Sequence, residues 1–537
     1  MAYNLNDITF KLGQGGNGTI ANGTDFISGL LFFNDARPAL MGADNFSTGN
    51  VKQIFSLTDA EALGIVDTYP DETKSTATFE ITNIGTDGET IEAVVTEWTG
   101  GNGQGTVSLG IYTKISADNT LVMVATGLVA AINAGTNTHG YIASNVGSTS
   151  AIVTITARAG MGIYLNSGTP YSKVIVTIGS GAHIAATIVQ NVIVGVASQL
   201  AVYHYHIDRY FKVKPDGSLY IGIFDTSEAG DFNVIDNIVT YSEGSMVQLG
   251  IWDSTQPFDL TILTKIQSRI DGLSAQHKLL SAVVYAADIK ALTSPLADLA
   301  GANYNLATLS NKNVSAIIDN DGNGLGLDLF YEHGKSITSL GACIGCISEA
   351  AISEDIGNPI SRFNPDDGSE YDTLMFGDGT MFNTVSTSQL NALNNNRYIF
   401  LSKIPNTTGS YYSDDHTAIA YTNDYAWIHS NRVIDRVVKD SFVALVPVLK
   451  SRLKLNTDGT LTAQTIAHLI SIEGEVIKPL IASDDLAGDA DNFDASKWVL
   501  VSPTQKPNVT NKLVIGVKLA ANGIAHSIEV PIGYGTI

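Results

Sequence analysis

The chain of 537 residues carries 53 acidic against 30 basic side chains, a net charge of −23, with only 15% of its residues charged. So acidic a surface repels free nucleic acid and anionic membrane, which excludes both as general partners. A charged fraction below the roughly 25% of ordinary soluble proteins points to a surface partly covered by neighbouring copies, and the length predicts three to four domains at about 150 residues each.

Residues 1–24 are polar and glycine-rich, with one alternating piece, Ile8, Phe10 and Leu12. Alternation of this kind fits a strand, but no partner strand is adjacent, so an extended arm is expected. The opening MAYNLNDITF has neither a positive segment nor an apolar stretch, and no secretory signal is expected. FISGLLFF (26–33) reads as a strand, and SLTDAEALGI as a helix capped by Thr58 or Asp59. Between residues 75 and 182 the texture becomes rich in Thr, Val and Gly. Short alternating runs (ATFEITNI, TIEAVVTEW, TVSLGIYTKI, SAIVTITARA, KVIVTI) surround one helical stretch, TLVMVATGLVAAINAG. Strands at this spacing, separated by glycine turns, predict a β-rich inserted unit with one helix.

The most apolar window, residues 184–203, is interrupted by Gln190, Asn191, Ser198 and Gln199, and reads as a core helix rather than a membrane span. From residue 200 strand-like runs (SLYIGIF, MVQLGIW, LLSAVVYAAD, NVSAIID) alternate with helical ones (LTILTKIQSRIDGLSAQ and a helix near 338–352). That alternation predicts an α/β layer with a largely parallel sheet. The last third holds a long amphipathic helix near 430–454, a second helix over LTAQTIAHLISIEGEVIKPLI, and two alternating runs, KLVIGVKL and AHSIEVPI. Ala-Asn-Gly joins those runs as a hairpin signal.

Motifs for chemistry are weak. Asp319-x-Asp321-x-Asn323-Gly324 opens like a calcium loop, but its twelfth position is Phe330 where a bidentate glutamate is needed, so a solvated turn is expected. Asp484, Asp485, Asp489, Asp491 and Asp494 read as a solvated acidic loop. His204 and His206 would share a face on a strand, without a third ligand at defined spacing. Cys343 and Cys346 form a lone C-x-x-C in a small-residue run, and read as buried thiols. GQGGNG and GDGT lack the strand–loop–helix context and lysine of a phosphate loop. With no catalytic signature among these, neither an enzyme nor a cofactor or metal site is expected.

Several segments resemble the tail sheath proteins of contractile phages and related injection machines. NDITFKLGQGGNGTIANGTDFISGLLFF is similar to that family's arm and first strand, and QIFSLTDAEALGI to its first helix. AVYHYHIDRYFKVKPDGSLYIGIF resembles the re-entry into the main fold after an inserted domain. ITSLGACIGCISEAAISEDIGNP resembles a family helix that ordinarily runs into a Ser-Ile-Gly stretch, which here is Glu354-Asp355-Ile356-Gly357, a departure of little consequence for the fold. NRVIDRVVKDSFVALVPVLKSRLKLNTDGTLTAQTIAHLISIEGEVIKPLI resembles the C-terminal region facing the inner tube. It is the order of these segments, outside residues 75–182, that carries the resemblance.

The resemblance implies a mixed α/β multi-domain sheath fold with an α/β core sheet, a β-rich inserted domain and extended terminal arms. The divisions are an arm at 1–24, the main domain at 25–74 and 183–430, the insertion at 75–182, a tube-facing helical region at 431–511 and a terminal hairpin at 512–537. It implies a subunit polymerising as stacked hexameric rings around a tail tube, contracting to drive that tube through an envelope. Partners would be further copies, the tube protein, and baseplate and terminator proteins, with no direct nucleic acid and no membrane insertion. The place would be a virion tail or tail-like particle assembled in the host bacterial cytoplasm. The unpartnered arm (Ile8, Phe10, Leu12) and the terminal runs (Leu513, Ile515, Val517, Ile528, Val530) fit strand exchange between subunits, since main-chain hydrogen bonds survive rigid-body motion.

Residues 431–454 carry six basic side chains against Asp435 and Asp440, a local excess of +4 in the acidic chain. On a continuous helix Arg432, Arg436, Lys439, Lys450 and Lys454 fall within an arc of roughly 60°, and the resemblance turns that arc toward the tube. Two other classes remain: a passive β-rich surface or adhesion protein, and an α/β enzyme with its site at strand C-terminal ends.

Overall fold

The structure is a computed structural model; it describes residues 25–34, 50–98, 104–145, 150–162, 173–179, 183–187, 195–358, 363, 368–524 and 526. Strands β1 (Ser28–Phe33) and β2 (Val51–Ile54) come first, followed by the short helix Leu57–Ala62. Ser56 caps that helix: its hydroxyl accepts from the Asp59 amide at 3.2 Å, while Asp59 reaches back to the Phe55 amide at 2.9 Å. The cap is therefore Ser56, two residues before Thr58 and three before Asp59, because Asp59 occupies the reciprocal third position of the turn.

Seven strands then follow within residues 76–187: β3 (Thr76–Ile84), β4 (Thr90–Trp98), β5 (Gln104–Thr113), β6 (Ile142–Asn145), β7 (Ile152–Thr156), β8 (Lys173–Ile178) and β9 (Ile184–Thr187). Among the described residues they pair only with one another, in the antiparallel orders β6-β7-β3-β9 and β5-β4-β8, with the helix Leu121–Ala134 packed on β3, β5 and β6. Burial alternates along β3 and β7, so Phe79, Ile81, Val153 and Ile155 face inward against Val124, Leu128 and Ile132.

After this segment come β10 (Leu219–Phe224), β11 (Gln248–Trp252), β12 (Ala282–Ala286), β13 (Ser310–Asn311) and β14 (Val314–Ile317), with helices between β10, β11, β12 and β13. The main sheet has the order β14-β12-β11-β1-β10-β2. Its first five strands run parallel and β2 runs antiparallel to β10. This is the mixed α/β, largely parallel sheet the sequence predicts. Helices cover both faces. Leu30 and Phe32 point into one core with Tyr203, Ile344 and Ile347 from helices Gln199–Val213 and Leu340–Glu349. Leu31 and Phe33 point into the other with Ile235, Ile262 and Ile266 from helices Val234–Tyr241 and Leu260–Ser274.

The apolar window 184–203 is not one helix: it begins with β9, and the helix starts only at Gln199, where Ser198 caps it and Asp71 accepts from the Gln199 amide at 2.9 Å. Towards the C-terminus the helices Ile428–Leu445 and Ala463–Ala482 pack together through Val437, Leu469, Ile477 and Leu480. Among the described residues, no helix is long and apolar enough to cross a membrane.

Candidate functional site

Of the strand-exchange residues, Ile8, Phe10, Leu12, Ile528 and Val530 lie outside the described residues. Leu513, Ile515 and Val517 rest half-buried on the C-terminal core. Val517 pairs antiparallel with Val499, and the Lys518 amide donates to the Trp498 carbonyl at 2.7 Å. Beside them Leu500, Val509 and Val514 are 63%, 71% and 54% exposed, an uncovered apolar fringe.

The basic stripe is not one face of one helix. Regular α-helix stops at Leu445; a tight turn, Val446–Val448, contains Pro447, whose missing N–H and ring end the ladder. Lys450 follows with φ +60°, so Lys450 and Lys454 lie beyond the helix. Arg432 is 4% exposed, and its guanidinium donates to the carbonyls of Ala351 at 3.1 Å and Ala350 at 3.2 Å. Burial lowers its pKa to about 10. Arg436 pairs with Asp25 at 2.6 Å and Asp440 at 2.7 Å, beside a small cleft that Lys439, Asp435 and His277 also line. The exposed cations are Lys450, Arg452 and Lys454, next to Val443, Val446 and Leu449, which are 67%, 48% and 41% exposed.

The other sequence-singled groups have structural duties. His204 and His206 sit on a helix, not a strand, so two residues apart they diverge by about 200°. His204 faces Glu61 at 3.2 Å, while burial alone pushes His206 down to about 3. Asp319 and Asp321 are buried rather than solvated. Asp319 accepts from the Ser339 amide and hydroxyl and the Leu401 amide, and Asp321 meets Arg209 at 3.0 Å. Cys343 and Cys346 are buried, and burial raises the Cys343 thiol well above its ordinary range. In the acidic loop Asp489 and Asp494 accept from amides two residues on.

One cluster was not legible in the sequence. Asp355, in the loop after helix Leu340–Glu349, meets Asp414 and Asp415, which follow the short strand Tyr411–Tyr412, and His429, in the first turn of helix Ile428–Leu445. Asp355, Asp414 and Asp415 are 8%, 6% and 0% exposed. Asp355 Oδ1 accepts from the Gly357 amide at 2.7 Å; Asp415 Oδ2 accepts from the His429 amide at 2.8 Å and lies 2.7 Å from His429 Nδ1. His526 stacks on Trp427 at 4.3 Å, with Nδ1 3.4 Å from Asp414 and 3.8 Å from Asp355. Burial first, then the charges of Asp415 and Asp414, push the Asp355 carboxyl well above the usual carboxylate range. Asp414 is held below the usual range, burial opposing the effects of His526 and His416 that win. The one sequence signal was Asp414-Asp415-His416. The Asp355 that replaces a serine of the Ser-Ile-Gly stretch, read as inconsequential, proves to be a member.

A family model described as DUF2586, N-terminal domain, matches residues 5–416. The chain belongs to that family. No curated protein matches the sequence. Among solved structures, the DUF2586 chain is similar to the helical sheath of the anti-feeding prophage in its contracted state, at 12% identity over 99% of both chains with a TM-score of 0.47. It is similar to a chain of that prophage's six-fold symmetrised baseplate at 14% identity, covering 62% of this chain and 80% of the other, with a TM-score of 0.41. It is also similar to the sheath tail protein Lin1278 from Listeria innocua at 12% identity, over 92% of this chain and 89% of the other, with a TM-score of 0.36.

Proposed function

We propose that this DUF2586 chain is a structural subunit of a contractile tail sheath, not an enzyme, working in a phage tail or tail-like particle. The observation that carries the reading is the order of the sheath-like segments, which fall in that order on elements of the main framework and on the C-terminal helices. QIFSLTDAEALGI spans the end of β2 and the whole Leu57–Ala62 helix, AVYHYHIDRYFKVKPDGSLYIGIF most of the Gln199–Val213 helix and all of β10, and the 431–481 segment most of the paired C-terminal helices. The solved structures above are described in the same terms, but at their low identity they do not carry the reading.

In this reading subunits stack as six-membered rings around a tail tube, meet baseplate and terminator proteins at the ends, and contract without nucleotide. The energy of the stroke would lie in a second arrangement of subunit packing. Residues 1–24 and 512–537 would link neighbours by strand addition, and 75–182 would project from the outer radius, where a packed cylinder has room. Lys450, Arg452 and Lys454, with the exposed Val443, Val446 and Leu449, would face the tube, whereas Arg432 is too enclosed to do so. Exposed charges make weak, salt-sensitive contacts, which suits a surface that must release.

Negative-stain microscopy of the purified full chain is the test. Long hollow cylinders are expected; only discrete monomers or small oligomers, at any salt concentration, would reject the sheath. On tubes supplied in the same preparation, Lys450→Glu with Lys454→Glu is expected to give bare tubes beside sheath-only polymers. Normal coating would remove the tube contact from this surface while leaving the sheath reading in place.

A further inference from the structure

The Asp355–Asp414–Asp415 cluster has a charge problem that its own hydrogen bonds leave unsolved. Three carboxylates lie nearly or wholly out of water, where like charges repel strongly and each oxygen needs a donor. Asp415 Oδ1, on a side chain 0% exposed, has no hydrogen-bond partner. A buried orphan of this kind calls for an explanation. Arg432 and Arg397 act on Asp415 through their charges, but the hydrogen bonds they make go to carbonyls: Arg432 donates to those of Ala350 and Ala351, and Arg397 to those of Thr417 and Ala426 while lying over the Trp427 ring. What the cluster does have is ligand geometry. One ligand atom from each of Asp355, Asp415 and His429 lies within 4.8 Å of the others, and the same holds for Asp355, Asp414 and His526.

We propose that Asp355, Asp415 and His429 bind a divalent transition-metal cation of the zinc or manganese class, with Asp414 or His526 completing the coordination. Two or three carboxylates with imidazole form a mixed oxygen and nitrogen donor set, which favours such an ion over calcium or magnesium. The ion supplies the missing partner of Asp415 Oδ1 and neutralises the carboxylates together. Its three ligands come from three separate chain segments, so it clamps the loop after helix Leu340–Glu349 and the Asp414–Asp415 segment to the start of helix Ile428–Leu445. The site lies within one chain and stands independently of the sheath reading.

The test uses the full chain stripped with chelator, titrated with zinc, manganese or calcium chloride, and followed by calorimetry and thermal unfolding. One equivalent of zinc or manganese should bind per chain and raise Tm by several degrees, with calcium at least about 10-fold weaker. Asp415→Asn should weaken binding by about 100-fold or more; His429→Gln reports the same loss should Asp415→Asn fail to fold. Asp355→Asn separates ligand loss from misfolding: its side-chain oxygen can still accept from the Gly357 amide, so the metal-free protein should melt close to the wild type while the metal-induced rise disappears. Absence of saturable binding to the stripped wild-type chain would overturn the proposal and leave a proton shared between Asp355 and Asp414 as the cluster's resolution. Binding that survives both Asp355→Asn and His429→Gln would overturn it too, placing the metal elsewhere.

Discussion

The main sheet and the strands of residues 76–187 are both β-structure, yet they bury their side chains in opposite styles. Every residue of β1, β10, β11 and β12 is buried, because helices cover both faces of the sheet. Along β3 and β7 buried positions alternate with half-exposed ones, because only one face meets a core. The difference teaches where substitution is free. In those four parallel strands no position has an outward side; along β3 and β7 about every second one does.

The largest effect is expected where the main layer is tightest. A Cβ on Gly341 would lie 1.9 Å from the carbonyl oxygen of His206, where the Leu340–Glu349 and Gln199–Val213 helices touch backbone to backbone. Nothing there is a flexible side-chain tip, so Gly341→Ala should cost about 3 kcal/mol or more, or yield insoluble chain. Gly88, in the turn before β4, has φ +89° but nothing within 4 Å of the same added atom. Gly88→Ala should cost only the conformational strain, about 1–2 kcal/mol. Thermal unfolding of the two variants checks the pair, and equal losses would break the contrast.

The burial pattern itself sets the second prediction. Leu30 and Leu31 are neighbours facing different cores, and both are 0% exposed. Leu30→Ala and Leu31→Ala should each cost about 2–5 kcal/mol. In β7 the neighbours Ile155 and Thr154 should split: Ile155→Ala in the same range, Thr154→Ala within about 1 kcal/mol. Denaturant midpoints at constant slope measure all four.

The same contrast governs what could be read beforehand. TIEAVVTEW and KVIVTI coincide with β4 and β8 residue for residue, and along β4 the buried Ile91, Ala93 and Val95 show how alternation against one core leaves period two in the sequence. Continuous apolar runs such as SLYIGIF and MVQLGIW mark the parallel strands equally well. Reading failed where apolar content was high but period was absent, as at 184–203. It failed again in YHYHIDRYF, where alternate aromatics imitate a strand on a helix whose two faces are both covered. The basic stripe failed because a helical wheel cannot register that Pro447 ends the helix, nor that Arg432 is enclosed by carbonyls of a loop some 80 residues earlier. The Asp/His cluster was hidden for the same reason: its members approach only through tertiary packing.

The smallest effect is expected at the seam where the two regions meet. Glu72, just before β3, accepts from the amides of Gly160, Met161 and Gly162 at 3.1, 3.0 and 2.8 Å, so its charge is well placed. Glu332, from the main-region helix Gly324–His333, is 1% exposed against the same turn, and its Oε2 has no hydrogen-bond partner. Burial, then the charges of Glu72 and Asp328, raise its carboxyl to about 9, against the opposing pull of Arg158 and a hydrogen bond from Tyr69. The folded chain therefore holds this proton where the unfolded chain, with an ordinary carboxylate, has lost it. The stabilisation is complete below about pH 4.5, falls as pH rises, and is lost by about pH 9. The slope cannot exceed about 1.4 kcal/mol per pH unit, and solvent reaching the seam will reduce it. From about pH 6 to about pH 8 the wild-type chain should lose on the order of 1 kcal/mol more than Glu332→Gln, which copies the protonated side chain and cannot ionise. Unfolding curves at the two pH values measure that difference, and it isolates Glu332 because every other titrating group is common to both chains. Parallel pH profiles for wild type and variant would mean that the seam admits enough water to solvate the charge, and that the two regions are less closely joined than either is within itself.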